Sequence, residues 1–280
     1  MIHLNYAGWT AQICPEYGMN TISLTYHSQQ ILRTPSSPAL LEEDACIYGT
    51  PMLLPPNRTD GGRFTFEGRQ YTLPINDLAG NNHLHGFLNR TAFIVDELTE
   101  SGVKAHYEND GALFPFCFRM DVKLWLDDKG YHQQFAVTNT GKQNMPLTFG
   151  IHTNFAEKDR FFAPLGQRHE KTGRHIPTGT LLPLDEREKA ICAGFAPDGQ
   201  PISAFYTSAG HTAGIGSFYY HVSPNFDQWI LWNGGGKAGF VAIEPQCGAV
   251  NALNSGDGLK ILAPGQTEVF TTCISPCAAI

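Results

Sequence analysis

Alternation of apolar and polar residues is the strongest pattern in this chain, and it is clearest between residues 118 and 138. Every second residue in the first half of this segment is apolar, namely Phe118, Met120, Val122, Leu124 and Leu126. The positions between them are mostly charged. Because successive side chains of a strand point to opposite faces, this pattern predicts a half-buried β-strand. Asp128-Lys129-Gly130 then predicts a turn, and residues 131–138 predict the returning strand of a hairpin.

Other segments repeat this extended pattern on a smaller scale. Residues 64–66 and 71–73 flank turn residues and predict a second hairpin, and residues 21–26 and 239–243 also predict strands. Helical spacing is limited to residues 184–191, which is enough for about two turns. The 29 glycines and 18 prolines are spread along the chain, as in folds with many short elements joined by turns. The fold class predicted is mainly β, a large antiparallel sandwich or barrel.

Composition narrows the possible functions. Hydrophobic residues make up 42% of the chain and charged residues 16%, which excludes intrinsic disorder. A net charge of −7 gives no basic surface for nucleic acid. No apolar run reaches the roughly 20 residues of a membrane span, and residues 1–6 lack the features of a signal peptide. From these features we expect a soluble, cytoplasmic protein with no nucleic-acid or membrane partner.

The seven cysteines include no Cys-x-x-Cys pair. A structural zinc site needs closely spaced ligand pairs that form a closed set, so we expect no such site. Reduced and mostly buried thiols are the prediction.

Glu244 is the most informative candidate for chemistry. It follows the apolar residues 240–243 and precedes Pro245. A buried glutamate costs several kcal/mol unless it is paired or neutral. Proline lacks the backbone donor, so we expect the strand to end at Glu244. The alternative is a glutamate that simply emerges into solvent at the strand end.

Histidines supply the second group of candidates. His152 lies in an apolar and aromatic stretch, where a structural role is the common one. His83 and His85 are two positions apart, so on a strand they would share a face and, with His152 and Glu244, could form a cupin-like metal site. Gly86 predicts a turn that would break that face, which makes metal binding the less favoured alternative.

Arginine and aromatic residues could contact a ligand. Arg58 follows an extended Pro-Pro segment, and its structural alternative is a surface cation or a partner of Asp60. The aromatic side chains near these segments are core residues by default, but flat rings also pack against the CH faces of a sugar. They are Phe87, Phe155, Trp229 and Trp232.

Several motifs in collinear order resemble the aldose 1-epimerase (galactose mutarotase) family, and in particular its shorter bacterial branch. No single motif is specific, but their order over nearly the whole chain is. The segments are 18–20 (GMN), 48–58 (YGTPMLLPPNR), 82–87 (NHLHGF), 145–155 (MPLTFGIHTNF), 177–179 (PTG), 243–246 (IEPQ), 251–254 (NALN) and 262–265 (LAPG).

The resemblance implies one domain over residues 1–280, an antiparallel β supersandwich with an open sugar-binding groove. It implies no cofactor and no metal. By position His152 corresponds to the general acid and Glu244 to the general base, placed on opposite sides of the sugar ring. The predicted substrate-binding residues are Arg58, His85, Asn57, Trp229 and Gln246. The expected partner is an aldohexose, and the expected oligomeric state is a monomer or homodimer.

One position departs from the family pattern. Ser203 stands where the family usually carries an aspartate that binds a sugar hydroxyl. This departure leaves a non-catalytic sugar-binding protein open as an alternative. An epimerase of phosphorylated hexoses is another, and it would require arginines at the groove mouth, for which the candidates are Arg58, Arg63, Arg69 and Arg90.

Overall fold

The computed structural model describes residues 1–277, and these are mostly β-strands. In the first part of the chain the strands are β1 Ile2–Tyr6, β2 Trp9–Cys14, β3 Asn20–Tyr26, β4 Gln29–Gln30, β5 Met52–Leu53, β6 Arg58–Asp60, β7 Arg63–Phe66, β8 Arg69–Thr72, β9 Asn82–Leu84, β10 Ile94–Leu98 and β11 Gly102–Asn109. Next come β12 Phe118–Asp127, β13 Gly130–Asn139, β14 Met145–Leu147, β15 Phe149–Ile151, β16 Asn154–Ala156, β17 Phe161–Phe162, β18 Leu165–Lys171 and β19 Pro177–Leu182. The last are β20 Ser203–Ser208, β21 Thr212–Ile215, β22 Phe218–Val222, β23 Gln228–Trp232, β24 Phe240–Cys247, β25 Lys260–Leu262 and β26 Thr267–Pro276.

Helices are short. The α-helices are α1 Ala39–Glu43, α2 Glu186–Ala193 and α3 Ala252–Ser255, and 3-10 turns occupy Pro15–Tyr17, Ala45–Ile47 and Leu88–Arg90. The helix predicted over 184–191 is α2, shifted by two residues. Its start is set by a capping box, in which Asp185 accepts from the Glu188 N–H and the Glu188 carboxylate accepts from the Asp185 N–H. Among the described residues, no helix has the length and apolar character needed to cross a membrane.

Two eight-stranded sheets dominate the molecule. Sheet 1 has the order β10-β11-β12-β13-β26-β22-β21-β17. Sheet 2 has the order β19-β18-β20-β23-β24-β15-β5, with β16 also paired to β24. A four-stranded sheet, β1-β2-β3-β4, and three two-stranded ribbons complete the structure. Neighbouring strands in both large sheets are antiparallel.

The predicted hairpins form as expected. In β12 the five apolar residues of the predicted strand are all buried, and its last residue pairs with Gly130 of β13. The smaller predicted hairpin is β7-β8. These results confirm the mainly β, antiparallel sandwich predicted from the alternation.

Aromatic side chains hold the two large sheets together. The Phe149 ring of sheet 2 lies 4.8 Å from Phe270 and 5.4 Å from Phe135, both of sheet 1. The Phe155 ring likewise lies 5.4 Å from Tyr220. The core therefore lies between the sheets, and the opposite face of sheet 2 is available for a site.

Candidate active site

Glu244 lies in the middle of β24, and every residue of that strand is buried. The expectation that Pro245 ends the strand is wrong, because β24 continues to Cys247 and Pro245 pairs with Trp229 of β23. Ile243 faces the core, so Glu244, one position later, points to the opposite face of sheet 2.

Proline is tolerated within β24 because its missing N–H falls at a break in the neighbouring strand. The Ile243 N–H donates to the Thr153 carbonyl on one edge of β24, and the Gln246 carbonyl accepts from the Asp227 N–H on the other edge. Backbone groups alternate between the two edges, so Pro245 faces the same edge as Ile243. On that edge the register places Pro245 opposite Ile151, the last residue of β15, and the pairs with β24 stop at Gly150 and resume only at Asn154.

His152 occupies this break between β15 and β16. Its backbone N–H donates to the Pro51 carbonyl. Its Nε2 lies 3.3 Å from Oε1 of Glu244, and only 4% of His152 and 2% of Glu244 is exposed. The imidazole and the carboxyl are therefore adjacent to each other, whereas the sequence led us to expect them on opposite sides of the sugar ring.

Asn154 determines which nitrogen of His152 carries the proton. The Asn154 amide donates to the carbonyls of Cys46 at 2.8 Å and His152 at 2.7 Å, which fixes the orientation of its side chain. The amide oxygen, Oδ1, lies 3.1 Å from His152 Nδ1 and accepts a hydrogen bond from the Nδ1–H. His152 Nε2 is then the lone-pair nitrogen, and it faces Glu244.

Burial governs the protonation of the pair. It raises the pKa of Glu244 to about 8, against a lowering by the hydrogen bond from Gln246 and the charge of Arg58. It lowers the pKa of His152 to about 4, although the hydrogen bond to Asn154 acts in the other direction. Between these two values the pair holds one proton, on Glu244, and carries no net charge.

The pair lies in the wall of a cavity of about 830 Å³. Of the predicted binding residues, Asn57, Arg58 and His85 also line this cavity. The Arg58 guanidinium contacts Asp77 at 3.0 Å and the Asn57 side chain at 3.2 Å. Its partner is thus Asp77 and not Asp60, which pairs with Arg174.

His85 follows the end of β9 and has a left-handed φ of 63°, as does Gly86. A Cβ at Gly86 would lie 2.0 Å from the Leu54 carbonyl oxygen, so only glycine fits that turn. The turn brings the His85 ring to 5.3 Å from the His152 ring, edge to face. Burial, followed by the charges of His152 and Arg58, holds the pKa of His85 well below its usual value.

His83 does not join His85 in a metal site. Its Nδ1 lies 2.8 Å from the Pro74 carbonyl, and the turn at His85 breaks the shared face. Within residues 1–277, no group of three or more His, Cys, Asp or Glu side chains is arranged to hold a metal ion.

Trp232 takes the place that the sequence analysis gave to Trp229. Trp229 is 1% exposed on the core face of sheet 2, where its indole N–H donates to the Gly210 carbonyl. Three positions later on the same strand, Trp232 points to the opposite face and lines the cavity, with its ring 5.9 Å from that of His152. The odd spacing is the reason, because side chains alternate along a strand.

Gln246 lies beside Glu244 rather than in the cavity lining. It is fully buried, and its amide donates to Glu244 Oε2 at 3.4 Å. Among the other aromatic candidates, Phe87 lines the cavity and Phe155 belongs to the core.

Two of the four candidate arginines line the cavity, and so does Ser203. Arg58 and Arg90 line it, whereas Arg63 and Arg69 lie on the β7-β8 hairpin outside its lining. Ser203, at the position of the expected aspartate, does line it.

Two residues that shape this site were not identified from the sequence, namely Asn154 and Asp77. Asn154 had a local signal, because it lies two positions after His152. Asp77 had none, since it reaches Arg58 through its bridge to Asn82 of β9 and the pairing of β9 with β6. Trp232 was among the aromatic candidates but not among the predicted substrate-binding residues, although its odd spacing from Trp229 distinguishes the two faces of the strand.

The antiparallel β sandwich thus places an adjacent imidazole and carboxyl in the wall of a cavity of a size that takes a small molecule. The family model described as aldose 1-epimerase matches residues 2–275, so the chain belongs to the aldose 1-epimerase family. The resemblance seen in the sequence is thereby confirmed.

Individual relatives are distant. The chain is 26% identical to the uncharacterized protein YihR of Escherichia coli K12 over 238 residues, which are 77% of this chain and 75% of that protein. A galactose mutarotase-like protein from Clostridium acetobutylicum superposes with a TM-score of 0.89 at 24% identity, over 97% of this chain and 93% of that one. A putative aldose 1-epimerase from E. coli K12 gives 0.86 at 17% identity, over 98% and 97%. These structures share the fold.

Proposed function

We propose that this protein is an aldose 1-epimerase that interconverts the α and β anomers of a hexose such as galactose or glucose. The general acid is His152 and the general base is Glu244, and residues 1–280 act as one domain. The observation that carries the proposal is the 3.3 Å contact between these two buried groups in the wall of an 830 Å³ cavity.

The adjacency of the two groups suits the chemistry. Opening a cyclic hemiacetal takes the proton from the O1 hydroxyl and delivers a proton to the ring oxygen O5. Both oxygens are bonded to C1, so an acid and a base that serve them must also be close together. The aldehyde then rotates about the C1–C2 bond, and the reverse transfers close the ring on its other face.

The number of protons on the pair also suits this cycle. A neutral imidazole with a carboxylic acid and an imidazolium with a carboxylate differ only in the position of one proton, which can cross the 3.3 Å contact. In the second form Glu244 accepts the O1 proton and His152 donates to O5. Ring closure returns both protons, so the pair is unchanged after each turnover and needs no redox partner.

Other cavity residues position the ring. The Arg58 guanidinium is held by Asp77 and presents its remaining N–H donors to sugar oxygens. Asn57 and His85 add polar atoms to the same wall, and Trp232 offers an aromatic face for the CH groups of a pyranose. Donors directed at oxygens that gain negative charge lower the barrier to ring opening.

Polarimetry on freshly dissolved α-D-galactose and α-D-glucose tests the proposal. General acid and base groups each contribute about 10²- to 10⁴-fold. We therefore expect His152→Asn and Glu244→Gln to reduce the catalysed rate to near the buffer rate while the protein remains folded. His106→Asn and Glu108→Gln, on the far face of sheet 1, are matched controls that should keep wild-type rates. Near-wild-type rates in either site variant would overturn the assignment.

A non-catalytic sugar-binding protein is the second candidate, and the observation that favours it is Ser203 in place of a carboxylate in the cavity wall. Such a protein would release heat on hexose binding in calorimetry, and it would not accelerate mutarotation above buffer.

A further inference from the structure

Ser203 lies between two cavities. It lines the 830 Å³ cavity and also an adjoining cavity of about 370 Å³, whose wall includes Lys171. The Lys171 ammonium donates to the Ser203 carbonyl at 2.6 Å and lies 3.4 Å from the Ser203 hydroxyl. It also lies 4.8 Å from the centre of the Phe205 ring, which lines the larger cavity. The position where an aspartate was expected is thus occupied by a serine with a lysine beside it.

The Lys171 ammonium lacks a counter-ion. Within residues 1–277, no carboxylate lies within 4.0 Å of its Nζ. Partial burial, followed by the charge of Arg58, lowers the pKa of Lys171, so its nearest influential charge is another cation. An ammonium has three N–H donors, and Ser203 takes two of them at most.

A neighbouring histidine senses the positive charges of Arg58 and Lys171. His175 lines the larger cavity, and its pKa is lowered by burial and then by those two charges, against an opposing effect of Asp77. The carboxyl groups that line the cavity are Glu244, which holds the shared proton, and those of Glu43 and Asp44 at the end of α1. Asp44 already accepts from the Cys46 N–H.

Strand register gives the distance between Ser203 and Glu244 of the proposed catalytic pair. Ser203 pairs with Trp232, which pairs with Ala242, two residues before Glu244. Two strand spacings across and two residues along put the backbones of Ser203 and Glu244 about 12 Å apart. Side chains extend inward from both positions, so one hexose ring with its substituents spans the remaining space.

We infer that the preferred substrate is a hexose with an anionic substituent, a carboxylate or a phosphate ester, far from its anomeric carbon, and that Lys171 selects it. This inference rests on the proposed function for its substrate orientation. The substituent supplies the counter-ion that Lys171 lacks, whereas a sugar hydroxyl in its place can accept a hydrogen bond but carries no charge to balance the ammonium. Ser203 leaves room for that substituent, whereas an aspartate would neutralise Lys171 itself.

Mutarotation rates of glucose, glucuronate and glucose 6-phosphate test the inference. For the wild-type protein we expect kcat/KM to be at least about 10-fold higher for one of the two anionic sugars than for glucose. A preference for glucuronate assigns the substituent as a carboxylate, and a preference for glucose 6-phosphate assigns it as a phosphate.

Lys171→Met removes the charge but keeps the aliphatic stem. We expect it to lower kcat/KM for the anionic sugar about 10-fold, mainly through KM, and to leave glucose within about two-fold. Ser203→Asp should shift the preference toward glucose by pairing with Lys171. Lys123→Met, on the outer face of sheet 1, is the matched control and should change neither rate.

The outcomes separate this inference from the proposed function. A wild-type preference for glucose, or an equal loss for all sugars in Lys171→Met, means that Lys171 only joins β18 to β20, and the inference fails while the epimerase stands. If no sugar is accelerated but calorimetry shows glucuronate or glucose 6-phosphate binding that depends on Lys171, the epimerase fails and anion recognition stands.

Discussion

Buried polar groups of sheet 1 and those around the His152–Glu244 pair differ in their hydrogen bonding. In sheet 1 the buried amide of Gln133 donates to the Thr50 hydroxyl, and its oxygen accepts from Thr272. Asn139 likewise donates to the Leu262 carbonyl at 2.7 Å. The buried side-chain atoms without a hydrogen-bond partner among the described residues lie elsewhere, at His83 Nε2, His85 Nδ1 and Gln246 Oε1, and the last two belong to residues beside the His152–Glu244 pair. Buried polar atoms without a partner cost free energy, so the surroundings of this pair contribute less to stability than the hydrogen-bonded groups of sheet 1.

Leu124→Ala should have the largest effect of the changes that test this comparison. Leu124 is fully buried in sheet 1, and such truncations leave a cavity that costs about 2–5 kcal/mol. We expect that loss in urea unfolding, with kcat/KM almost unchanged at 25 °C. Lys142→Ala, at an exposed loop position, is the control and should stay within about 0.5 kcal/mol. A large fall in kcat/KM without a loss of stability would contradict the contrast between sheet 1 and the surroundings of the His152–Glu244 pair.

Glu244→Gln should raise the stability of the protein near neutral pH, whereas Leu124→Ala lowers it. The folded-state pKa of Glu244 is raised to about 8 from 4.5, so its contribution is favourable below pH 4.5 and is lost as the pH rises toward 8. A glutamine does not titrate. The free energy of unfolding of the variant should therefore rise relative to that of the wild type between pH 4.5 and pH 8, by about 1–3 kcal/mol at pH 7. Urea unfolding at pH 4.5 and pH 7 measures this gain.

Two comparisons check the origin of that gain. Glu108→Gln, at an exposed carboxylate of sheet 1, should show no comparable change with pH. A Glu244→Gln variant that is equally stable relative to wild type at both pH values would show that burial does not perturb this carboxyl.

The pH dependence of catalysis sharpens the same comparison with a smaller effect. The pair holds one proton between about pH 4 and about pH 8, given the pKa values of His152 and Glu244. Above that window the acid is lost, and below it the base is lost. We expect kcat/KM, corrected for buffer catalysis, to fall about tenfold per pH unit outside these limits. A rate that continues to rise above pH 8 would mean that only a base is needed.

Local sequence patterns predicted the parts of the fold that depend on neighbouring residues. Alternation located β12 and β13, and their turn was visible at Asp128-Lys129-Gly130. The capping box at Asp185 could have corrected the start of α2, since Asp followed three positions later by Glu is its signature.

Contacts between distant segments account for the rest of the site. The family motifs identified His152 and Glu244, but their 3.3 Å contact depends on the break between β15 and β16. Nothing near Lys171 in sequence indicates Ser203, 32 positions away, because their contact requires β18 to pair with β20. The prediction that Trp229 binds substrate is wrong for a different reason. Side chains alternate along a strand, so the sequence already placed Trp229 and Trp232 on opposite faces, but it did not show which face is the core.

Pro245 has a consequence for how the site is maintained. The pairs of Gly150 with Gln246 and of Asn154 with Ala242 share one register, which places Pro245 opposite Ile151 at the end of β15. Any other residue at position 245 would direct a backbone N–H at β15, next to the interval in which His152 lies. Proline has no N–H, so the ladder receives no hydrogen bond from this position. A residue usually regarded as a strand breaker thus occupies the strand that carries the catalytic carboxyl proposed above, one position after it.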